Sequence, residues 1–207
     1  MKQLNPKFYA LPEEKQRAII NAGYRVFSQN SYKKSPVSEI ADAAGISKAL
    51  LFHYFHNKKE LYLFLVDNCV QVTEECIQRF QCFDQPDLFE MMRQGLRAKV
   101  YLMRRYPDMT SFILKAYYEK DQAVCPELQK IIEQYKSGRT FKAKLRLDPE
   151  QFVPGLDLEM MYLDMFWAGE GYIWEKVQWG DVSVEEMERD FERLIDFWKG
   201  LYLRKES

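Results

Sequence analysis

Two short helical segments on either side of a glycine constrain this chain more than any other feature. They lie between Ser35 and Phe55 and are separated by Gly45 and Ile46. Ser35 and Ser47 are predicted to cap the two helices, because a serine side chain can accept a hydrogen bond from a free amide of the first turn. A short helix, a glycine-containing turn and a second short helix make a helix-turn-helix unit. By spacing alone, a helical hairpin in a protein core fits equally well.

The remaining sequence is also helical in pattern, with only 9 Gly and 8 Pro among 207 residues. We predict an all-α chain of about nine helices, with a three-helix helix-turn-helix domain over residues 1–57 and a helical domain over 58–207. Residues 139–157 are predicted to form a loop because they include Pro149, Pro154 and Gly155. The predicted helices are Pro12–Asn30, Ser35–Ala44, Ser47–Phe55, Lys58 into the Cys76–Phe83 region, Asp87–Arg105, Met109–Glu119, Pro126–Gly138, Leu158–Gln178 and Ser183–Arg204.

The charges are unevenly distributed between the two predicted domains. Residues 1–60 hold ten Lys and Arg against five Asp and Glu, a net charge of +5, while the remaining residues carry −6. Helix N-termini disfavour cations, and three helices outside the first domain's core motif open with acidic residues. Those around the motif open with lysines instead: Lys33, Lys34, Lys48, Lys58 and Lys59. Lysines beside free backbone amides are typical of an anion site, and a DNA phosphate is the expected anion. The alternative is a scatter of solvated surface lysines.

The run VSEIADAAGISKALLFHYFHNKKEL, from Val37 to Leu61, resembles the signature of the TetR family of bacterial regulators. The resemblance covers about Pro12–Phe64 and implies a homodimer whose third helix enters the major groove of DNA. It also implies that Ile40, Ala41, Ile46, Leu51 and Phe55 are core residues. The resemblance implies that Lys58 matches the family's phosphate-binding lysine. The other predicted DNA-binding residues, apart from Ser35, occupy its DNA-facing positions. The full predicted set is Ser35, Ser38, Ser47, Lys48, Ala49, Leu50, Phe52, His53, Tyr54 and Lys58.

Three residues of the recognition helix depart from the family pattern. Ala49 stands where glycine is frequent, Leu50 replaces a small polar residue, and Phe52 replaces a tyrosine. Leu50 and Phe52 have no hydrogen-bonding group, so their contacts with DNA would be apolar, for instance with a thymine methyl. Alternatively, either side chain packs inward.

The C-terminal domain is predicted to bind an effector and to form the dimer. The last two helices are apolar on more than one side, which indicates a second partner, although a buried helix of a monomer would look similar. Methionines and aromatic residues suit a pocket for a small hydrophobic or aromatic molecule, although they also suit an ordinary core. The predicted pocket residues are Phe64, Met92, Met103, Tyr117, Asp164 and Met165.

Other classes of function find little support in the sequence. His53 and His56 lack nearby carboxylates or thiols that would complete a metal site, and no cofactor motif or catalytic constellation is present, so we expect no enzyme. Cys69, Cys76 and Cys82 are expected to be buried apolar residues, with a redox sensor as the alternative. No signal peptide or membrane span is predicted, which favours the cytoplasm. We therefore expect a ligand-responsive transcriptional regulator, most often a repressor, acting on a palindromic operator; the alternative is an effector-independent nucleoid-associated protein.

Overall fold

The computed structural model describes residues 6–85, 87–133, 147–179 and 183–204, and these residues form ten α-helices. The predicted all-α fold is confirmed. Two short 3-10 turns, Cys82–Asp84 and Pro149–Gln151, and one isolated bridge between Phe152 and Leu203 complete the regular structure in the described residues. The helices are α1 (Pro6–Tyr9), α2 (Glu13–Gln29), α3 (Val37–Ala43), α4 (Lys48–Phe55), α5 (Lys58–Arg79), α6 (Leu88–Arg105), α7 (Met109–Tyr117), α8 (125–133), α9 (Leu158–Trp179) and α10 (Val184–Tyr202).

The predicted starts of three helices are confirmed by capping side chains, each of which binds an amide three residues further along the chain. Ser47 Oγ accepts a hydrogen bond from Leu50 N at 3.1 Å, and Ser183 Oγ accepts one from Glu186 N at 3.3 Å. Asn57 Oδ1 likewise accepts from Glu60 N at 2.9 Å at the start of α5. Each cap satisfies an amide that the helix leaves free, which fixes where α4, α5 and α10 begin.

Ser35 does not cap α3, and this prediction was wrong. Helix α3 begins at Val37, so its N-cap is Pro36 and no side chain caps it. Ser35 is buried, and its hydroxyl instead donates to Ser31 O at 2.9 Å. The serine lies one residue too early to reach the free amides of the first turn.

The chain forms two compact units, one within residues 1–72 and 105–135, the other within 73–104 and 136–207. The helix-turn-helix and α7 therefore belong to the same unit, the first. The predicted functional boundary at residues 57 and 58 remains a prediction, since the compact units divide the chain at other residues. The predicted end of α8 at Gly138 lies outside the described residues.

Helix α2 organises the core of the first unit by packing against α3 and α7. The ring of Tyr24 on α2 lies 5.1 Å from that of Phe112 on α7, and the Tyr24 hydroxyl donates to Asn68 Oδ1 at 2.8 Å. On the same face, Gly23 leaves room for the Leu65 side chain of α5, because a β-carbon there would lie 2.6 Å from Leu65 Cδ1. Leu65 is fully buried at this point of contact with α2.

A short N-terminal helix, α1, was not predicted. Its central residue, Phe8, is 1% exposed and lies among the aromatic rings of Tyr54, Phe55 and Phe64. The first unit thus has an aromatic cluster behind α4 to which a residue outside the helix-turn-helix contributes. We call Phe8, Tyr54, Phe55 and Phe64 the rear aromatic cluster.

In the second unit, α6 and α10 are joined by an arginine. The Arg93 guanidinium contacts Glu192 at 3.1 Å and Asp196 at 2.5 Å on α10, and Glu90 at 2.7 Å on its own helix. A planar guanidinium has five donors, so a single side chain can hold several carboxylates at once. The C-terminal end of α10 is held by hydrogen bonds from Arg204 N to Gln151 O and from Val153 N to Tyr202 O.

Candidate nucleic-acid interface

The turn between α3 and α4 has the geometry that its sequence predicts. Gly45 has φ of +68°, and a β-carbon there would meet no atom within 4 Å, so glycine is favoured for its backbone conformation rather than for space. Gly45 N donates to Asp42 O and Ile46 N donates to Ala41 O, at 3.1 and 3.0 Å. These bonds end α3 and direct the chain into α4 at a fixed angle.

The inner faces of the two helices hold them together. Ile40 and Ala41 of α3 and Leu51 and Phe55 of α4 are buried, which agrees with the core positions that the resemblance implies. Ile46 is half-buried. With its inner face fixed, α4 has a defined outer face.

The outer face of α4 carries most of the predicted DNA-facing residues. Leu50 is exposed, so the alternative in which it packs inward is wrong, while Phe52 is half-buried and lies 5.8 Å from Lys48 Nζ. Leu50 is therefore exposed to solvent, and its apolar contact with DNA stays a prediction. The exposed residues of the predicted set on or beside α3 and α4 are Ser38, Ser47, Lys48, Ala49, Leu50 and His53.

Ser35 and Tyr54 do not share this surface. Tyr54 is 6% exposed, and its ring meets Phe8 edge-to-face at 5.9 Å. It follows Leu51 by three positions and therefore lies on the same inner face of α4. That spacing was visible in the sequence and indicated burial. Neither Ser35 nor Tyr54 is placed where its side chain can reach DNA without rearrangement.

The structure brings two of the predicted phosphate-binding lysines together beside the turn before α3. Lys58 Nζ donates to Lys33 O at 3.2 Å and lies 5.0 Å from the centre of the Tyr32 ring. Partial burial lowers the pKa of Lys58, and the nearby Asp121 carboxylate acts in the opposite direction. Lys59 differs, because its ammonium pairs with Glu127 at 2.8 Å. Lys58 is thus better placed than Lys59 to bind an anion at the start of α5.

The predicted effector-pocket residues are divided between the two units. Phe64 belongs to the rear aromatic cluster, and the exposed Tyr117 meets Tyr118 edge-to-face at 4.9 Å; both lie in the first unit. Met92, Met103, Asp164 and Met165 lie in the second, where Met103 and Met165 are buried. Asp164 is exposed and accepts a hydrogen bond from the Tyr202 hydroxyl at 3.2 Å. Neither unit contains all six.

Helices α9 and α10 expose a large apolar surface. Met160, Trp167 and Trp174 recur at intervals of seven residues along α9, and Trp167 is 57% exposed. The two glycines of α9 differ in how closely α10 approaches them. A β-carbon at Gly169 would lie 3.5 Å from Phe191 of α10, whereas one at Gly171 would meet no atom within 4 Å. Six exposed apolar residues of the two helices, apart from Trp179 at the end of α9, are called the α9–α10 face: Met160, Phe166, Trp167, Trp174, Phe197 and Leu201.

Metal and membrane features are absent from the part of the chain that the structure describes. No group of three or more His, Cys, Asp or Glu side chains in these ranges is arranged to hold a metal ion. Nor does any helix among the described residues combine the length and apolarity that a bilayer crossing requires. Cys69, Cys76 and Cys82 are buried and Cys125 is half-buried.

A protein-family model described as "Bacterial regulatory proteins, tetR family" matches residues 19–64, which run from α2 to the first part of α5. The likeness to this family is thus carried by residues 19–64 of the 207. The match contains the whole helix-turn-helix and ends just after Lys58, so the residues predicted from the resemblance lie within it.

Two regulators of known name match part of the chain. The chain is 28% identical over 93 residues to the HTH-type transcriptional regulator RutR of Escherichia coli, a match that covers 45% of this chain and 43% of RutR. It is 30% identical over 123 residues to the HTH-type transcriptional activator FasR of Mycolicibacterium smegmatis, covering 57% of this chain and 52% of FasR. The matched part thus spans about half the length of either relative, and both are named as regulators rather than enzymes.

A solved regulator structure extends the likeness in fold over most of the chain. The fatty acid degradation regulator FadR from Bacillus halodurans superposes with a TM-score of 0.64 at 15% identity, covering 86% of this chain and 96% of that one. At this identity the likeness concerns the fold.

Proposed function

We propose that this protein is a TetR-type, sequence-specific DNA-binding transcriptional regulator that acts as a homodimer on a palindromic operator in the cytoplasm. The observation that carries the proposal is the outer face of α4, which presents Lys48, Leu50 and His53 to solvent at the start of a well-fixed helix. A helix of this kind fits the major groove with its N-terminal residues at the base edges.

The contacts divide into two kinds. Lys58, Lys33 and the N-terminal amides of α4 are suited to phosphates, which position the protein on DNA without reading its sequence. His53 and Lys48 are suited to hydrogen bonds with base edges, and Leu50 to contact with a thymine methyl. Ser35 and Tyr54 drop out of the interface and act on it through the packing behind α4.

The α9–α10 face supports the homodimer. Met160, Trp167 and Trp174 recur at seven-residue intervals on α9, and Phe197 and Leu201 are exposed on α10. Helix pairs commonly bury exposed apolar residues of this kind against a second copy. A two-fold dimer presents two recognition helices about one DNA turn apart, which matches a palindromic operator.

A small hydrophobic or aromatic effector is the proposed regulator of DNA binding. Met103 and Met165 contribute adaptable thioethers to the interior of the second unit. The name of FadR, a fatty acid degradation regulator, is compatible with such a ligand class. Effector and operator would then oppose each other with a reciprocal coupling of roughly 1–3 kcal/mol. If effector-saturated protein bound the operator as tightly as free protein, this coupling would be excluded.

The experiment that tests the proposal is selection of duplexes from a random pool by the purified full-length protein. A regulator enriches one palindromic sequence, and His53→Ala changes the preferred bases while leaving binding to a scrambled duplex nearly unchanged. The competing function, an effector-independent nucleoid-associated protein, predicts no enriched sequence and no effect of His53→Ala on preference.

A further inference from the structure

The turn that precedes α3 is held from two sides by residues far apart in the sequence. Tyr32 N donates to Glu119 Oε2 at 2.9 Å, and Glu119 lies in the connection between α7 and α8. On the other side, Lys58 of α5 donates to Lys33 O at 3.2 Å and lies over the Tyr32 ring. All of these residues belong to the first unit. The connection after α7 and the start of α5 therefore meet at the same turn.

Glu119 has the hydrogen bonding of an anchor. Its Oε1 accepts hydrogen bonds from Lys120 N and Asp121 N, both at 2.9 Å, while Oε2 accepts the one from Tyr32 N. Three backbone amides thus share one carboxylate, and hydrogen bonds to an ionised acceptor are about twice as strong as neutral ones. The carboxylate is fixed by its own turn and in turn fixes the Tyr32 amide.

The Tyr32 ring transmits this constraint to Lys58. It packs edge-to-face on Tyr62 at 5.1 Å and lies parallel to Phe27 at 6.4 Å. One ring face is left for the Lys58 ammonium, 5.0 Å from the ring centre, which is within the range of a cation–π contact. A lysine stem that is already ordered loses less conformational entropy when its ammonium binds a phosphate.

We propose that Glu119 is a positioning residue for phosphate binding, acting through the Tyr32 amide and ring to hold Lys58 where a DNA phosphate is bound. The inference rests on the proposed function, since it takes Lys58 to be a phosphate-binding residue. Glu119 lies well outside the region of family likeness at residues 19–64. The affinity of this chain for DNA then depends on a residue that the helix-turn-helix does not contain.

Two substitutions of Glu119 separate positioning from charge. Glu119→Gln and Glu119→Ala both remove the negative charge, but only glutamine keeps an acceptor for the Tyr32 amide. Affinity is measured for a duplex enriched from a random pool by the wild-type protein, with each substitution made alone and together with Lys58→Ala. Glu14→Gln, on the exposed surface of α2, is the control for loss of one charge.

Glu119→Ala is expected to bind about fivefold more weakly than Glu119→Gln, the effect of one net hydrogen bond. In the Lys58→Ala background, the ratio of the two affinities should fall to about one. If Glu119→Ala does not fold by circular dichroism, Glu119→Asp replaces it, because aspartate keeps the charge and withdraws the acceptor by one methylene.

Equal affinities of the Glu119→Gln and Glu119→Ala proteins would overturn the inference, and so would a ratio that persists without Lys58. Both results leave the proposed function intact. If Lys58→Ala instead matched wild type in affinity and salt dependence, the phosphate role of Lys58 would be wrong, and the inference would fail with it.

Discussion

The centre of the Phe8 ring lies 5.0 Å from the centre of the Phe55 ring, so a residue near the N-terminus packs against the end of the helix proposed to read DNA. Phe8 also meets Phe64 edge-to-face at 5.3 Å, and it thereby joins α4 to α5 from behind. The orientation of α4 thus depends on packing that starts outside the helix-turn-helix.

Phe8→Ala is expected to lower the free energy of unfolding by about 3 kcal/mol, because it removes a fully buried ring and leaves a cavity in the rear aromatic cluster. Urea denaturation followed by circular dichroism measures the loss. The matched control is the neighbouring Tyr9→Ala, which removes an exposed ring whose edge-to-face contact with Phe8 at 5.5 Å is worth about 1 kcal/mol. Equal losses for the two variants would show that Phe8 is not a core residue.

Lys58→Ala is expected to weaken binding to all DNA sequences by a similar factor, because a phosphate contact carries no base information. The slope of log affinity against log salt concentration should flatten by about one unit. Binding titrations at several salt concentrations, on the enriched duplex and on a scrambled one, measure both effects. An effect confined to the enriched duplex would instead assign Lys58 to base recognition.

Gly23→Ala is expected to destabilise the protein by about 1–3 kcal/mol, because the new methyl would lie 2.6 Å from Leu65 Cδ1 and displace this fully buried side chain. Gly95→Ala is the matched control, since the same methyl on α6 meets no atom within 4 Å. That change should stabilise by up to about 1 kcal/mol through the higher helix propensity of alanine. Thermal unfolding of the two variants should therefore shift in opposite directions.

Trp167→Arg is expected to convert the proposed dimer to a monomer, because it places a charge within the α9–α10 face. Sedimentation velocity reports the change, and binding to the palindromic duplex should weaken with it. Tyr118→Arg, a substitution of an exposed aromatic residue in the first unit, serves as the control and should remain dimeric. A monomeric wild-type protein at micromolar concentration would refute the assignment of this face.

Cys125 is expected to react first with a thiol reagent, since it is half-buried while the other three cysteines are buried. Burial raises the pKa of the Cys69 thiol to about 12, and burial also raises the pKa of Cys76. The thiolate is the nucleophile, so these thiols stay protonated and unreactive at neutral pH. One fast thiol in the native protein and four in denaturant is the expected result; two fast native thiols would favour the redox alternative.

Features that depend on neighbouring residues could be predicted from the sequence. The caps at Ser47, Asn57 and Ser183 each involve an amide within three positions, and the turn at Gly45 depends on one residue's φ. Local rules suffice where the partners are local.

Long-range contacts were not predictable in this way. The segment around Phe8 is too short to show a helical pattern of apolar residues. Glu119 is one of 31 acidic residues, and its partner, Tyr32, lies 87 positions away in the sequence. Tyr54 is a different case, because its spacing from Leu51 indicated burial while the family resemblance favoured a DNA-facing position. In this chain the local spacing agreed with the structure.

The packing of Tyr24 and Phe27 on Phe112 has a consequence for protein engineering. A chimera that joined only residues 1–57 to another regulator would separate the rings of Tyr24 and Phe27 from Phe112 of α7. These rings would then face a surface of the other regulator that does not match them. The portable module of this chain is residues 1–72 together with 105–135. Exchanging both segments as one cassette is expected to preserve the DNA-reading surface where the shorter graft would aggregate.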